Sequence, residues 1–359
     1  MTVKPTLETN RLLTLFQEHG AQVVHADILQ PAETLLDLYG EDIRARAYVT
    51  SDPLRGEMML RPDFTVPVVQ MHMDSGADPA RYTYAGEVFR RQEHDPSRPI
   101  EYSQVGYELF GGHDPAEADA EVFTLISEAL EGTPLRAATG DIGILMAAVR
   151  GLRTTDDRKS ALLRHIWRPR RFRALLDRFG GKTPVPATRA ALLAMDDPMA
   201  KAVGEAGLRS RAEVSVRIDA LRADAKAPPV SAEELDLLDT ILGLRETAPM
   251  VLSILRDIAL DLPAIDSAVS QMARRLDALS RHGVDVDSLE FEGSFGRTSL
   301  EYYDGFVFGL YAADRPDLPP VATGGRYDAL TAVLGRGRSV PAVGGVIRPG
   351  LLAEIRGQA

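Results

Sequence analysis

An α+β fold, whose sheet draws strands from both ends of the chain around a helical excursion, is predicted by three features of this 359-residue sequence. Residues 40–112 break into short apolar runs divided by Asp-Pro, Gly and Pro-Ser punctuation. Strand texture returns after residue 288. Between these stretches, residues 146 to about 260 are rich in Leu, Ala and Arg with almost no strand texture, which predicts a helical insertion.

Each element has its own signal. Leu12, Leu15, Phe16 and His19 fall at helical spacing, so a first helix is expected over about 8–19. "RAYVT", "EMMLRP", "RYTYAGEVFR" and "EYSQVGYELFG" read as strands of a sheet with hairpins. "DPAEADAEVFTLISEAL" carries a Pro-then-acid helix start with apolar Val122, Leu125, Ile126 and Leu130. "LRAATGDIGIL" reads as a further strand. Ile265, Val269, Met272, Leu276 and Leu279 step by four, three, four and three, the stripe of an amphipathic helix that ends near Gly283. "SLEFEGSF", "LEYYDGFVFGLYAA" and "PAVGGVI" return to strand, and the last turns through Arg348 and Pro349 into a short helix.

Composition excludes several chemistries. The sequence has no cysteine, so disulfides, thiolate catalysis and iron–sulfur clusters are out. Its seven histidines form no HExxH-like pair, and no metal site is expected. "GGKT" at 180–183 has Leu176 where a P-loop needs glycine, and neither GxSxG nor a strand-to-helix GxGxxG occurs. The start lacks an apolar h-region and no run is long enough to span a bilayer, so a cytoplasmic protein with no membrane partner is expected. A net charge of −11 opposes non-specific nucleic-acid binding. The exception is a cluster of Arg164, Arg168, Arg170, Arg171, Arg173, Arg178 and Lys182 around Trp167. It reads either as a polyanion or partner surface or, preferably, as a solvated helix face.

One constellation suits a free amino acid. Alternation along "EYSQVGYELFG" puts Tyr102, Gln104, Gly106, Glu108 and Phe110 on one face, with Gly106 leaving a gap between an amide and a carboxylate. A buried Glu108 needs a partner, either a ligand cation or an internal salt bridge. "RPDFTVP" places Asp63 and Thr65 on one side of an extended segment, and "AGEVFRRQE" ends a strand at Arg90. A zwitterion needs carboxylates for its ammonium and a cation for its carboxylate.

"LRPDFTVP", "YAGEVFRRQE…EYSQVGYELFG", "LEYYDGFVFGLYA", "GGRYDAL" and "PAVGGVI", in that order, resemble the catalytic core of the histidyl-tRNA synthetases, which are class II synthetases. Pro31 in "DILQPAETLLDLYG" resembles the proline of that class's dimer-interface motif. The resemblance implies a mainly antiparallel sheet flanked by helices, with residues 1–145 and 261–359 forming the synthetase-like core and 146–260 the helical insertion. It also implies a histidine-binding role for Asp63, Thr65, Arg90, Gln104, Glu108, Tyr302 and Tyr303. Tyr327 is either pocket wall or core aromatic.

The adenylation elements depart from the synthetase pattern. Asp63 stands for the usual Glu, Gln92 occupies the place of the motif-2 Glu with Glu93 following, and Thr298 replaces an arginine while Arg297 lies one place earlier. Gly350 and Leu351 stand where the last motif has Glu and Arg. The sequence ends eight residues after Leu351, so the synthetases' anticodon-binding domain is expected to be absent and no tRNA partner is expected. A retained pocket with lost adenylation cations resembles the synthetase paralogues that serve as regulatory subunits of ATP phosphoribosyltransferase. That resemblance implies no catalysis, no cofactor, histidine as effector, and a homodimer core in a hetero-oligomer with a short-form ATP phosphoribosyltransferase catalytic subunit. Two rivals are an amino-acid-activating enzyme in which Arg348 or Arg297 replaces the missing cations, and an RNA-binding module using the basic cluster.

Overall fold

The computed structural model describes residues 7–33, 47–92, 98–200, 209–297 and 302–357. Helix α1 (Leu7–Glu18) buries Leu12 and Phe16. Strands β1 (Gln22–Val23) and β2 (Leu29–Pro31) follow, then the hairpin β3 (Val49–Asp52) and β4 (Gly56–Leu60). Pro31 closes β2; the later residues of its motif, like Glu93 and Thr298, lie outside the described residues.

Helix α2 (Thr65–Ser75) corrects the extended reading of "RPDFTVP". Pro67 is its third residue, where proline's missing N–H is one that no helix bond would use. The long antiparallel pair β5 (Ala80–Phe89) and β6 (Glu101–Phe110) comes next. Helix α3 (Pro115–Ala129) starts at Asp114, whose side chain accepts from the Ala116 and Glu117 N–H groups.

Strand β7 (Leu135–Asp141) leads into α4 (Ile142–Gly151), α5 (Asp156–Arg164), α6 (Pro169–Phe179), α7 (Ala187–Ala194), α8 (Arg211–Lys226) and α9 (Ala232–Gly243). Strand β8 (Arg245–Thr247) and α10 (Ala248–Asp261) complete that stretch. β8 is its one described strand, and it pairs with β9 at the sheet edge. After a 3₁₀ turn at Pro263–Ile265 come α11 (Asp266–Arg281), β9 (Glu290–Glu292), β10 (Phe306–Ala312), β11 (Ala322–Arg326), α12 (Asp328–Leu334), β12 (Ala342–Ile347) and α13 (Pro349–Ile355).

The strands form a nine-stranded sheet in the order β1-β5-β6-β12-β11-β10-β7-β9-β8 and a three-stranded sheet in the order β2-β4-β3. Among the described residues only β1–β5 and β7–β9 are parallel. The α+β class and the mainly antiparallel sheet are therefore as expected, and β6 beside β12 joins strands from the two ends of the chain.

Side chains alternate between the two faces of the sheet. Tyr107, Phe308 and the missing side chain of Gly345 face α3, whose Phe123 meets Phe308 edge-on at 5.2 Å. Behind α3, helix α11 buries the predicted stripe of Val269, Met272, Leu276 and Leu279. Each such side chain contributes about 1.5–3 kcal/mol on burial.

An ionic cluster locks these layers. Fully buried Asp119 of α3 accepts from Arg275 Nη1 of α11 at 3.1 Å and from Arg326 Nε of β11 at 2.9 Å. Arg275 Nη2 also reaches Asp141 Oδ2 at 2.6 Å, and Arg326 Nη1 reaches Asp328 Oδ1 at 3.0 Å. Removing one member strands the others in low dielectric, a loss of about 3–5 kcal/mol. Asp119→Ala is therefore expected to lower stability by that amount in urea unfolding. A change below about 1 kcal/mol would mean that the cluster does not hold the layers.

Candidate functional site

The other face of the sheet carries the site. Three registers set it: Tyr84 lies opposite Gly106, Tyr82 opposite Glu108, and Gly344 opposite Glu108 on the other side. Tyr84 fills the space over Gly106, where a Cβ would stand 2.2 Å from its ring. The gap expected there for a ligand is thus occupied by a neighbouring tyrosine. Gly344 has the matching role for Glu108: a Cβ at that position would lie 1.5 Å from Oε2, so the carboxylate rests flat on the β12 backbone.

Three hydroxyls converge on Glu108. Thr65 Oγ1, in the first turn of α2, donates to Oε1 at 3.0 Å, and Tyr84 OH donates to the same oxygen at 2.8 Å. Tyr327 OH, just before α12, donates to Oε2 at 2.5 Å. No cation pairs with Glu108 among the described residues, so the alternative of an internal salt bridge is not realised there. Burial pushes its carboxyl up to about 7, against the three hydroxyls that pull it down, and the Asp63 charge adds to the rise.

Asp63 precedes α2 and accepts from the Val66 N–H at 3.4 Å. Its loop is pinned from both sides. Arg61 lies 4.0 Å over the Phe64 ring, which stacks on Tyr84 at 4.4 Å, and Arg61 Nε donates to Glu87 O at 2.7 Å. Arg90, one residue past β5, donates from Nε to Pro62 O at 2.8 Å.

Tyr302 and Tyr303 meet edge-on at 4.9 Å, and Tyr302 meets Tyr327 at 5.9 Å. Burial pushes the Tyr303 hydroxyl well above its ordinary range, and the Glu108 and Asp63 charges add to this while Arg90 opposes it. Tyr303 therefore feels the negative charges of Glu108 and Asp63 and the positive charge of Arg90. Gln104 lies at the far end of the same face of β6, two alternating positions beyond Glu108, about 13 Å along the strand. Its buried Oε1 has no hydrogen-bond partner among the described residues.

The structure thus joins Asp63, Thr65, Glu108, Tyr302 and Tyr303 around one point, with Arg90 on the rim and Gln104 at the far end. Tyr84 was missed. Its signal was the alternation of Tyr82 and Tyr84 in "RYTYAG", but a register across a long hairpin connection is not readable from sequence. Tyr327 is a buried core aromatic whose hydroxyl also donates to Glu108.

Neither candidate replacement cation touches Glu108. Arg297 Nε donates to Ile166 O at 2.7 Å and its guanidinium lies 4.7 Å over Phe172. Arg348, just outside α13 as expected, lies 5.3 Å over Tyr102; burial lowers its pKa, and the charges of Arg90 and Arg98 lower it further. In the basic cluster Arg173 pairs with Asp239 and Arg178 with Asp224, while the Trp167 indole turns inward to Tyr303 O at 3.2 Å. Among the described residues no group of three or more His, Asp or Glu could hold a metal ion, and no helix is long and apolar enough to cross a membrane.

Comparison with known proteins identifies the family. The family model described as histidyl-tRNA synthetase matches residues 6–226 and 209–349. ATP phosphoribosyltransferase regulatory subunits of Brucella ovis and Brucella abortus are each 30% identical over 358 residues, covering 93% of this chain and 93% of theirs. Two solved structures share the fold. One, described as an ATP phosphoribosyltransferase regulatory subunit/histidyl-tRNA synthetase from Bacillus halodurans, has a TM-score of 0.67 at 20% identity and covers 97% of this chain and 78% of that one. The other, a histidine–tRNA ligase subunit from Alicyclobacillus acidocaldarius, has a TM-score of 0.60 at 24% identity, with 98% and 91% covered. A class II synthetase-like sheet, a family model matched along most of the chain and relatives matched along nearly their whole length lead to one assignment: the chain belongs to the ATP phosphoribosyltransferase regulatory subunits, a family built on the histidyl-tRNA synthetase fold.

Proposed function

We propose that the chain is a non-catalytic subunit that activates a short-form ATP phosphoribosyltransferase catalytic subunit in the cytoplasm and senses histidine for feedback inhibition. The observation that carries this reading is the Glu108 carboxylate, buried, held by three neutral hydroxyls and lacking a cation among the described residues. A carboxylate has about four acceptor positions, so three hydroxyls leave one for a ligand N–H. An imidazole supplies that donor. Asp63 and the orphan Oε1 of Gln104 are then acceptors for an ammonium, and Arg90 is the partner of a carboxylate.

Regulation follows by linkage: a ligand that binds one assembly state better shifts the complex toward it. The place of Arg297 in the α5–α6 seam and of Leu351 in α13 supports the absence of adenylation. A homodimer core is supported by the small sheet, where Ile28, Leu29 and Val49 are 45%, 45% and 40% exposed beside Pro31. The helical stretch 146–260 is read as an insertion between the two halves of the core.

Glu108→Gln keeps an acceptor oxygen for the hydroxyls and removes the charge, so calorimetry is expected to show histidine binding weakened about 10- to 100-fold. The same variant tests the burial cost. The folded carboxyl titrates near 7 against an ordinary 4.5, so the folded state holds the extra proton between those values and stability falls as pH rises through that window. Without histidine, the variant should lose this slope and melt above the wild type at pH 8. Binding and slope both unchanged would sink the assignment.

Mixed with a short-form catalytic subunit, the chain is expected to switch on phosphoribosyl transfer that histidine then inhibits, while alone it gives no histidine-dependent pyrophosphate exchange into ATP. Robust exchange by the chain alone would make it an activating enzyme instead. Leu29→Glu is expected to shift sedimentation toward the monomer; an unaltered profile would move the self-association face elsewhere.

A further inference from the structure

Trp167 is the sole tryptophan in the chain, and it stands at the junction between α5 and α6. Its indole N–H donates to the backbone carbonyl of Tyr303, 136 residues away in sequence, at 3.2 Å. Arg297 makes a second tie across the same seam, through Nε to Ile166 O and through its guanidinium over the Phe172 ring. The segment that carries Tyr302 and Tyr303 is thus fastened to α5 and α6 both before and at the tyrosine pair.

This seam is held at a cost. Arg297 is 5% exposed, its Nη2 has no hydrogen-bond partner among the described residues, and it faces the like charge of Arg173. Burial and that charge push its pKa down to about 10. A buried guanidinium with one carbonyl and one ring face gains from any shift that brings it water or an acceptor. On the pocket side a continuous set of contacts runs inward from the seam: Tyr303 meets Tyr302, Tyr302 meets Tyr327, and Tyr327 donates to Glu108. A ligand that takes the remaining acceptor position of Glu108 presses on one end of that set, and Trp167 sits at the other.

We propose that the Trp167–Tyr303–Arg297 seam couples occupancy of the Glu108 pocket to the placement of α5 and α6, with Trp167 and Arg297 as positioning residues. The inference rests on the reading of the pocket as a histidine site. Coupling between two sites is reciprocal, so the catalytic partner must change histidine affinity by the same factor by which histidine changes partner affinity, commonly about 5- to 150-fold.

The test follows histidine binding to the full chain by calorimetry and by tryptophan emission, which reports Trp167 alone. The wild-type emission is expected to change with the calorimetric midpoint. Trp167→Phe keeps a ring and loses the N–H; it is expected to hold histidine affinity in the isolated chain within about twofold and to retain its melting temperature. In the reconstituted complex, the ratio of histidine affinities with and without the catalytic subunit should then fall at least about fivefold toward one. Arg297→Met, read by the same ratio and by emission, decides the matter if Trp167→Phe does not fold. Histidine binding with flat emission and an unchanged ratio in the variant overturns the seam alone, whereas no calorimetric binding in the wild type overturns the pocket reading and the seam with it.

Discussion

The Glu108 carboxylate lies flat against the β12 backbone, and much of the site depends on that placement. It requires glycine at 344, because a Cβ there would stand 1.5 Å from the carboxylate. It requires the β6–β12 register that sets Gly344 opposite Glu108, and the β5–β6 register that sets Tyr84 opposite Gly106. A one-residue slip of either pair would turn Glu108 or Tyr84 toward α3 and away from Thr65 and Tyr327. The sheet draws its central strands from both ends of the chain because the site does: Glu108 comes from β6, and Tyr327 and Gly344 come from the segment around β11 and β12.

Two buried carboxylates show two physical solutions in one fold. Asp119 is answered by the guanidinium groups of Arg275 and Arg326, so its charge is neutralised where it is made. Glu108 is answered by hydroxyls, which offer hydrogen bonds but no net charge, and burial lifts its carboxyl to about 7. The first arrangement ties α3, α11 and β11 together whatever is bound. The second leaves a deficit that the protein does not fill from its described residues, and on the proposed reading that deficit is affinity held in reserve at the expense of stability.

The sequence made the strands, α3 and the stripe of α11 legible because each rests on a local period. The alternation of β6 likewise put Gln104, Gly106 and Glu108 on one face correctly. What it could not show was anything decided by a neighbour. Gly106 looked like an empty space because only the β5–β6 register brings Tyr84 over it. "RPDFTVP" looked extended because Pro67 weighs against helix in general, although at the third position of α2 it costs little. "ATGGR" gave no strand signal, since two glycines make room for Phe308 and Tyr303 instead of packing themselves. The basic cluster read as a solvated face, and Arg164, Arg170, Arg171, Arg173 and Lys182 are exposed, but the inward turn of Trp167 to Tyr303 and the pairing of Arg178 with Asp224 of α8 are set by neighbours.

The distribution of charge on the site face also bears on which amino acid would be selected. Asp63 is close enough to Glu108 that its charge raises the Glu108 carboxyl, a penalty that a cation placed between or beside the two would relieve. An amino acid with a neutral side chain brings one cationic group, its ammonium, and relieves one of these acids. Histidine brings an ammonium and an imidazole whose ordinary titration near 6.5 lies beside that of Glu108 near 7. A proton can then be shared across that contact at neutral pH, so both acids are answered at once. Lysine and arginine also carry two cationic groups, but their longer chains must pass the tyrosine layer of Tyr302, Tyr303 and Tyr327 with a full charge to desolvate. On the proposed reading, selectivity arises from matching a half-neutral acid with a half-neutral base, and the buried hydroxyls around Glu108 serve to hold its titration where that match is possible.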